Sequence, residues 1–410
     1  MQHFFKILTI SALGLTVAGT AHAAGYQLNE YSAAGMGRSF AGMGVVGDDF
    51  SAIGYNPAGM SLNKTNGAQI GASVVRITSN FRGEATEGDS STYGKGRTTL
   101  TRLLPSGFVQ YKLTDELTAG LGIYTPYGLA TDYPRGWFGE RHGGLSQINL
   151  FDVSPALSYR FNKYFSAGAA VNIQYTKAHL TSSGADLRGD DLGTGYTVGV
   201  TIQPLEELRF GLSYRSKVAH EIKGKLQGRG ALAALKGYDD ASITTPETAI
   251  LSGAWDVNEH WTLSGTARWT RWKRFDVLDI YMGSNNAGIP VGTILSSTQE
   301  KWRNTGFYAL GADYKPNTAW TVRGGIGYDM TVIRSARYRT PRIPDGRRFW
   351  GSLGLSYAFR NMQLDLGYAH IWVVGGHAKG TDNKNAAIGY PNIKYSSQAN
   401  MLSLGLQYKF

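Results

Sequence analysis

The chain lacks cysteine altogether and has few charged residues. Its 410 residues include no Cys, and Asp, Glu, Lys and Arg together make up only 17%. The missing thiols exclude disulfide bonds, cysteine-ligated zinc, iron–sulfur clusters and cysteine nucleophiles. Soluble proteins usually contain about 25% charged residues, so the composition does not favour a soluble protein whose whole surface faces water.

Long hydrophobic runs are absent beyond the N-terminus, and the mean hydropathy of −0.24 argues against a bundle of membrane-spanning helices. Intrinsic disorder is also disfavoured, because 9 Trp, 24 Tyr and 16 Phe need burial or an apolar solvent. A chain rich in Gly and aromatics but weakly hydrophobic on average is typical of a transmembrane β-barrel, whose strands alternate apolar and polar residues.

The charge balance is basic, with a formal net charge of +11. The Lys and Arg residues are scattered, and no basic run or nucleic-acid motif is present, so we expect no nucleic-acid partner. Anionic lipid or lipopolysaccharide at a membrane surface is the partner that the excess favours.

The first residues are typical of an export signal. Lys6 precedes a short apolar stretch from Ile7 to Val17, and Ala21-His22-Ala23 forms a small-residue cleavage site. The stretch is too short to span a bilayer. We predict a signal peptide at residues 1–23, with the mature chain beginning at Ala24.

Short polar turns divide the body of the chain into strand pairs. The turns are Lys112–Glu116, Phe161–Lys163, Pro204–Glu207, Asp256–Glu259, Lys315–Thr318 and Arg360–Asn361. Six turns join six pairs of strands, and one further strand at each end brings the total to about 14. The sequence therefore predicts an all-β fold, a 14-stranded antiparallel transmembrane β-barrel over residues 65–410.

The pattern between the turns favours an outer-membrane barrel over a soluble sandwich. One face of each strand is apolar and the other small or polar, and aromatic residues cluster at strand ends as a membrane girdle requires. These are Tyr159, Tyr214, Trp255, Trp261, Trp269, Tyr357 and Tyr408. The other connections are expected to be long loops, at 80–99, 220–245, 273–300 and 376–394. The terminal Phe410 is typical of barrels inserted by the outer-membrane assembly machinery.

Two segments depart from a plain barrel. Residues 24–64 are rich in Gly and Ala without sustained alternation, which predicts a hatch that plugs the lumen. The third strand contains Pro126, which cannot donate to a barrel ladder, so the strand should either bulge there or end.

Four separated segments carry a family resemblance. They are Ala24–Arg38, Gly54–Ala58, Pro126–Thr131 and Ile343–Trp350. In this order they resemble the FadL family of outer-membrane transporters for long-chain fatty acids and other hydrophobic compounds. The resemblance implies a 14-stranded barrel with an N-terminal hatch, and a kink in the third strand at Pro126 and Gly128 that opens a lateral gap beside the hatch. The gating residues that it implies are Ala24, Gly25, Tyr26, Leu28, Asn56, Pro57 and Ala58.

The family holds a ligand head group with basic residues inside the barrel, and local matching points to Lys177 and Arg303. Strand alternation independently gives a set of inward-facing arginines: Arg209, Arg215, Arg268, Arg303 and Arg323. Salt bridges with interior aspartates are the alternative role for each of them. Lys177 has the parity of the apolar face, so it points inward only if a bulge intervenes; otherwise it lies at the membrane rim.

A short apolar segment, Gly230–Gly237, interrupts one of the expected loops. Its leucines, Leu232 and Leu235, suggest a landing site for a lipid tail, a role that the resemblance supports. Packing against a neighbouring loop is the alternative.

No nucleophile elbow, metal-type histidine cluster or nucleotide-binding unit is present, so we expect neither an enzyme nor a cofactor. The leading hypothesis is passive uptake of long-chain fatty acids by a monomeric outer-membrane protein, with lateral release at the kinked third strand. Uptake of uncharged hydrocarbons or aromatic compounds by the same route is the close alternative. A general diffusion porin is disfavoured by the hatch.

Overall fold

The structure, a computed structural model, describes residues 25–87, 90–229, 236–283, 289–379 and 390–410. Its strand segments form one antiparallel sheet that closes on itself as a 14-stranded barrel. Four barrel strands consist of two segments each. The strands are β1 (Gly67–Glu87), β2 (Ser90–Lys112), β3 (Leu117–Asp132), β4 (Leu145–Arg160), β5 (Phe165–Thr181), β6 (Ala185–Leu205), β7 (Leu208–Arg215 and Val218–Gly228), β8 (Lys236–Thr245 and Thr248–Asp256), β9 (Trp261–Thr270 and Val277–Met282), β10 (Ile294–Gln299 and Thr305–Tyr314), β11 (Trp320–Asp329), β12 (Arg347–Phe359), β13 (Met362–Lys379) and β14 (Tyr390–Lys409).

The barrel is closed by pairing between β1 and β14, which runs from Gly67–Lys409 to Thr86–Tyr390. All six predicted short turns lie at one end, which by the pattern of outer-membrane barrels is the periplasmic end. Closure satisfies the backbone donors and acceptors that lipid could not. The prediction of a 14-stranded antiparallel barrel is confirmed.

The outer surface has two aromatic belts. The first lies near the short turns and includes Trp255, Trp261 and Tyr408, while the second includes Tyr214 and Trp269, and all five are exposed. Trp261 and Trp269 lie eight residues apart on β9, which is about 26 Å along a strand. Because barrel strands are tilted by about 35–45°, this corresponds to a height of roughly 20 Å, slightly less than the apolar band of about 25 Å in outer-membrane barrels.

The structure corrects the expectation of long loops at these four positions. β1 and β2 stay paired as far as Glu87–Ser90, and the described parts of the connections at 220–245, 273–300 and 376–394 also contain strand, which ends at Gly228 and resumes at Lys236, runs over Val277–Met282 and Ile294–Gln299, and ends at Lys379 and resumes at Tyr390. These hairpins project beyond the second belt. There the outer face is exposed to water, so its apolar residues give way to polar ones, while side chains such as Ile222 and Ile243 stay buried on the inner face and backbone pairing continues. The long irregular connections are instead residues 133–144 and 330–346.

The strands β7 to β10 are interrupted at a similar level, just beyond the second belt. The breaks are at 216–217, 246–247, 271–276 and 300–304. Pro246 lies in one of them and has no N–H to donate to a ladder. At this level the wall bends, which brings buried aromatic side chains into the lumen.

Residues 25–63 lie largely buried inside the barrel. They contain helix α1 (Ala33–Gly37), helix α2 (Ala52–Tyr55) and a 3₁₀ turn (Pro57–Leu62). α1 contacts β11 to β14 and β1, whereas the 3₁₀ turn contacts β3 to β7. The segment therefore spans the lumen from wall to wall. The boundaries predicted at 23/24 and 64/65, and the signal peptide, stay predictions.

No helix within the described residues is long and apolar enough to cross a membrane.

Candidate functional site

The barrel wall is incomplete between β2 and β3. These strands pair only from Gly107–Ile123 to Lys112–Thr118. Beyond that point β2 pairs with β1 alone, and β3 pairs with β4 alone. The register of β3 on β4 shifts between Tyr124 and Tyr127, around Pro126, where the sequence places the kink. The upper half of β3 therefore has an edge that no wall strand covers.

The N-terminal segment covers this edge. Leu28 N–H donates to the Pro126 carbonyl, and Gly128 N–H donates to the Tyr26 carbonyl, both at 2.8 Å. Gln27 lies opposite Tyr127 as an antiparallel bridge. The Gln27 amide also bonds the hydroxyls of two threonines on the far wall, Thr248 on β8 and Thr270 on β9. Residues 26–28, hereafter the edge seal, thus replace the missing strand at the kink.

Aromatic side chains surround the edge seal. The ring of Tyr26 lies 4.7 Å from that of Trp272, 5.9 Å from that of Trp302 and 6.0 Å from that of Phe275. Gly25 has a φ of +66°, and a Cβ there would lie 2.7 Å from the Trp302 ring. The rings belong to a buried cluster that continues outward through aliphatic side chains such as Leu180 and Leu278. An apolar column therefore leads from the outer mouth of the barrel to the kink.

A small cavity lies beneath this column. It has a volume of about 20 Å³, enough for about one water molecule, and it is lined by the edge seal, Pro126, Arg215 and Arg268. An acyl chain does not fit there, so a ligand reaches this point only if the N-terminal segment or its neighbours move.

The two arginines of this cavity differ in their partners. Arg215 forms a salt bridge with Asp152 and donates to Tyr124 Oη at 2.9 Å. Arg268 donates to Asn29 Oδ1, and its guanidinium lies 4.9 Å from the Phe307 ring centre. Within the described part of the chain, no carboxylate oxygen lies within 4.0 Å of Arg268. Arg268 is thus a buried cation without a direct ion pair, next to the kink, although the carboxyls of Glu30 and Asp329 lie close enough to interact with its charge.

The remaining inward arginines mostly follow the salt-bridge alternative. Arg209 pairs with Asp256 at 2.9 Å, and Arg323 pairs with Asp313 at 3.3 Å. Arg303 is half-buried beside Trp302, and its Nε donates to the Thr331 carbonyl at 2.9 Å. Arg303 therefore faces the upper column and not the cavity.

Lys177 does not reach the lumen. The register of β5 on β6 is continuous through this residue, so the bulge that an inward Lys177 requires is absent. The side chain is exposed on the outer wall, with Nζ 5.4 Å from the centre of the Tyr175 ring. Its assignment as a luminal head-group ligand is therefore wrong, and the alternative position at the membrane rim is correct.

The structure separates Asn56, Pro57 and Ala58 from the seam that the edge seal covers. Asn56 Nδ2 donates to the Val200 carbonyl on β6 at 3.0 Å. Gly168 on β5 makes room for this motif, because a Cβ there would lie 2.4 Å from the backbone nitrogen of Ala58. Ala24, Leu232 and Leu235 lie outside the described residues.

Buried ion pairs fasten the middle of the N-terminal segment to the opposite wall. Arg38 binds Asp48 at 2.7 Å and Asp313 on β10 at 3.1 Å, and Arg323 on β11 binds Asp48 at 3.0 Å. Burial alone would raise the pKa of the Asp48 carboxyl, but the charges of Arg38 and Arg323 hold it well below its usual range. Sequence alternation identified Arg323 and Asp313, but it gave no signal for Arg38 or Asp48.

Glu300 lies in the outer connection of β10 and gives a pH-dependence prediction. Burial raises the pKa of its carboxyl to about 7, although it accepts a bond from Trp302 Nε1 at 3.0 Å and Arg342 lowers the value. Because the folded-state pKa exceeds the ordinary value of 4.5 for a glutamate, this group's contribution to stability is greatest below pH 4.5 and declines until about pH 7. We expect Glu300→Gln to remove about 3 kcal/mol of this decline. Thermal unfolding in detergent at pH 4.5, 6 and 8 measures it, and an unchanged pH profile would contradict the prediction.

Comparison with known proteins agrees with this architecture. A model of the family described as outer membrane protein transport protein (OMPP1/FadL/TodX) matches residues 14–410. The chain belongs to this family. As a member of the OMPP1/FadL/TodX family, it is a transporter of hydrophobic compounds in the Gram-negative outer membrane and not an enzyme.

Three similar proteins illustrate the range of the OMPP1/FadL/TodX family. The long-chain fatty acid transport protein of Escherichia coli O6 is 26% identical, over 93% of this chain and 94% of that protein. The crystal structure of a Pseudomonas aeruginosa FadL homologue matches with a TM-score of 0.85 at 25% identity, covering 94% of this chain and 100% of that one. The Pseudomonas putida toluene transporter TodX shares the fold, with a TM-score of 0.71 at 17% identity over 94% of this chain and 99% of that one.

Proposed function

We propose that the protein takes up long-chain fatty acids passively and releases them sideways through the seam between β2 and β3. The ligand enters the apolar column from the outer mouth and moves toward the edge seal. When the edge seal leaves the β3 edge, the seam opens to the membrane. Apolar burial holds the ligand on this route, and its concentration gradient drives it.

Arg268 is the observation that carries the fatty-acid assignment. A buried guanidinium without a direct ion pair is costly, and a bound carboxylate would supply that pair through charge-assisted hydrogen bonds. Arg268 lies where the apolar column ends, so a carboxylate bound there would leave its chain in the column. Arg303 is a second cation, higher on the same route.

Uncharged aromatic compounds are the second candidate ligand. The rings of Tyr26, Trp272, Trp302 and Phe275 meet edge to face or tilted, an arrangement that also suits a small aromatic ligand. The similarity to a toluene transporter supports this alternative. The two candidates differ in whether the ligand carries a charge, and Arg268 is the residue that distinguishes them.

Arg268→Gln is expected to weaken oleate binding about tenfold or more, because a hydrogen bond to a charged group contributes about 1.5–3 kcal/mol. Toluene and hexadecane binding should change by less than about twofold. Displacement of a fluorescent fatty acid from the purified protein measures all three ligands. Arg209→Gln, which removes an arginine that has a carboxylate partner far from the kink, is the matched control.

Equal weakening for all three ligands would contradict the head-group role of Arg268. Strong toluene binding together with no saturable oleate binding would move the assignment to aromatic compounds. The landing role of Leu232 and Leu235 stays a prediction.

A further inference from the structure

Charged and amide side chains form two rows across the outer wall of the barrel, each row crossing β4, β5, β6 and the outer segment of β7. Cross-strand register places Asn149, Lys177, Asp190 and Lys223 in one row. The second row consists of Gln147, His179, Arg188 and Lys225. Neighbouring strands lie roughly 4.8 Å apart and the two rows roughly 7 Å apart, so these side chains share one small surface. We call this surface the basic groove.

The basic groove faces away from the lumen. Lys177, Arg188, Lys223 and Lys225 are all exposed, whereas the alternate residues Ala178, Leu187 and Ile222 are buried. The side chains line an open groove of about 550 Å³. Among the residues that the structure describes, no carboxylate oxygen lies within 4.0 Å of the Nζ atoms of Lys177, Lys223 and Lys225.

Like charges face each other in this groove. Arg188 lies directly opposite Lys225, a cross-strand arrangement that destabilises a sheet unless an anion lies between the two cations. Acidic side chains compensate only in part. Asp190 accepts a bond from Tyr175 Oη at 3.1 Å, and Asp186 binds Arg188 at 3.1 Å and Arg229 at 2.7 Å. Register also places Asp240 opposite Lys223, so four cations share this surface with three aspartates and a small surplus of positive charge is open to a ligand from outside.

The height of the groove identifies the membrane layer that it meets. Phe151, Tyr175 and Leu192 form the next outward row toward the bilayer, and Tyr175 and Leu192 are exposed large apolar side chains. The wall thus changes from apolar to strongly basic within two residues. On β5 that boundary lies where the headgroups of the outer leaflet begin, and on β7 the groove extends beyond the second belt, because Lys223 and Lys225 follow Tyr214 by nine and eleven residues.

We propose that the basic groove binds the phosphorylated sugar headgroup of an outer-leaflet glycolipid, the lipid A part of lipopolysaccharide. Its phosphates lie against Lys177, Lys223, Lys225 and Arg188, and its acyl chains lie along the apolar row below. Two rows of cations suit a ligand with more than one phosphate better than a single carboxylate. The inference does not depend on which compound the lumen carries.

The test measures binding of bisphosphorylated lipid A to the purified full-length barrel by native mass spectrometry. The variant combines Lys177→Gln, Lys223→Gln and Lys225→Gln. The matched control combines Lys64→Gln, Lys163→Gln and Lys315→Gln, which removes three exposed lysines near the periplasmic end. We expect the groove variant to bind at least tenfold more weakly and the control to bind within twofold of wild type.

Binding and competition experiments with three further ligands, carried out on the wild-type protein alone, identify the molecule that occupies the groove. Dephosphorylated lipid A should bind at least tenfold more weakly than bisphosphorylated lipid A, and equal binding would overturn the proposal. Inorganic phosphate at millimolar concentration should not displace lipid A, and displacement would mean a simple anion site. Oleate should not displace it either, since displacement would make the groove a fatty-acid surface. Equal loss in the groove and control variants would also overturn the proposal.

Discussion

Fatty-acid uptake stops when Gln27→Cys and Tyr127→Cys are combined and oxidised, and a reductant restores it. This is the expected result if release requires the edge seal to leave β3. The two positions form an antiparallel bridge flanked by the hydrogen bonds of Leu28 and Gly128, so their Cα atoms lie within the range that a disulfide spans. The chain has no cysteine of its own, so only the designed bond can form.

The controls separate movement of the edge seal from movement of the whole segment. Each single cysteine variant should transport with or without oxidant. Ser39→Cys with Ser352→Cys ties a different part of the segment to β12, at two hydroxyls 2.7 Å apart, and should leave uptake intact. Uptake that persists through a fully oxidised 27–127 bond would show that the β3 edge need not be freed. The measurement is uptake of a labelled fatty acid by cells, with and without reductant.

We expect Asp48→Ala to make the closed barrel conduct ions intermittently. Its carboxylate binds both Arg38 and Arg323, whose side chains are only 5% and 2% exposed. Removing one partner of a buried ion pair costs about 3–5 kcal/mol, and here two buried arginines are left to share the single carboxylate of Asp313. The N-terminal segment should then detach from β10 and β11 for part of the time. Conductance in planar bilayers detects the resulting openings.

Asp115→Ala is the matched control for this experiment. It also removes an aspartate from an ion pair, but that carboxylate is 98% exposed in a short turn. A surface pair contributes roughly 0–1 kcal/mol, so this variant should show no more channel openings than the wild type. If Asp48→Ala is equally silent, the ion pairs do not hold the segment in place.

The barrel could be predicted because a lipid environment requires apolar and polar residues to alternate along each strand. β5 shows this clearly: Val171, Ile173 and Tyr175 are exposed to the outside, whereas Asn172 and Gln174 are buried inside. Beyond the membrane the outward-facing residues no longer need to be apolar, and the alternation is lost. The residues around Glu87 and Ser90 read as a loop because neither face of the hairpin is apolar, although their backbones remain paired.

The interior of the barrel could be predicted only in part. Alternation placed Arg215 and Arg268 in the lumen, but it could not tell which of them finds a carboxylate. That depends on contacts between distant positions, such as Arg268 with Asn29 or Gln27 with Thr248, 221 residues apart. For Lys177 strand parity was the better guide, and the family match misled, because a matched residue type carries no information about the face it occupies.

Two hydrogen bonds hold the seam at β3 where its neighbours have whole ladders. Each backbone bond contributes about 1 kcal/mol net, so parting the edge seal from β3 costs far less than parting β1 from β14. The seam at β3 is therefore the part of the wall that we expect thermal motion to separate most readily. If the edge seal is the part that moves, the barrel can open at this seam without separating any two of its paired wall strands.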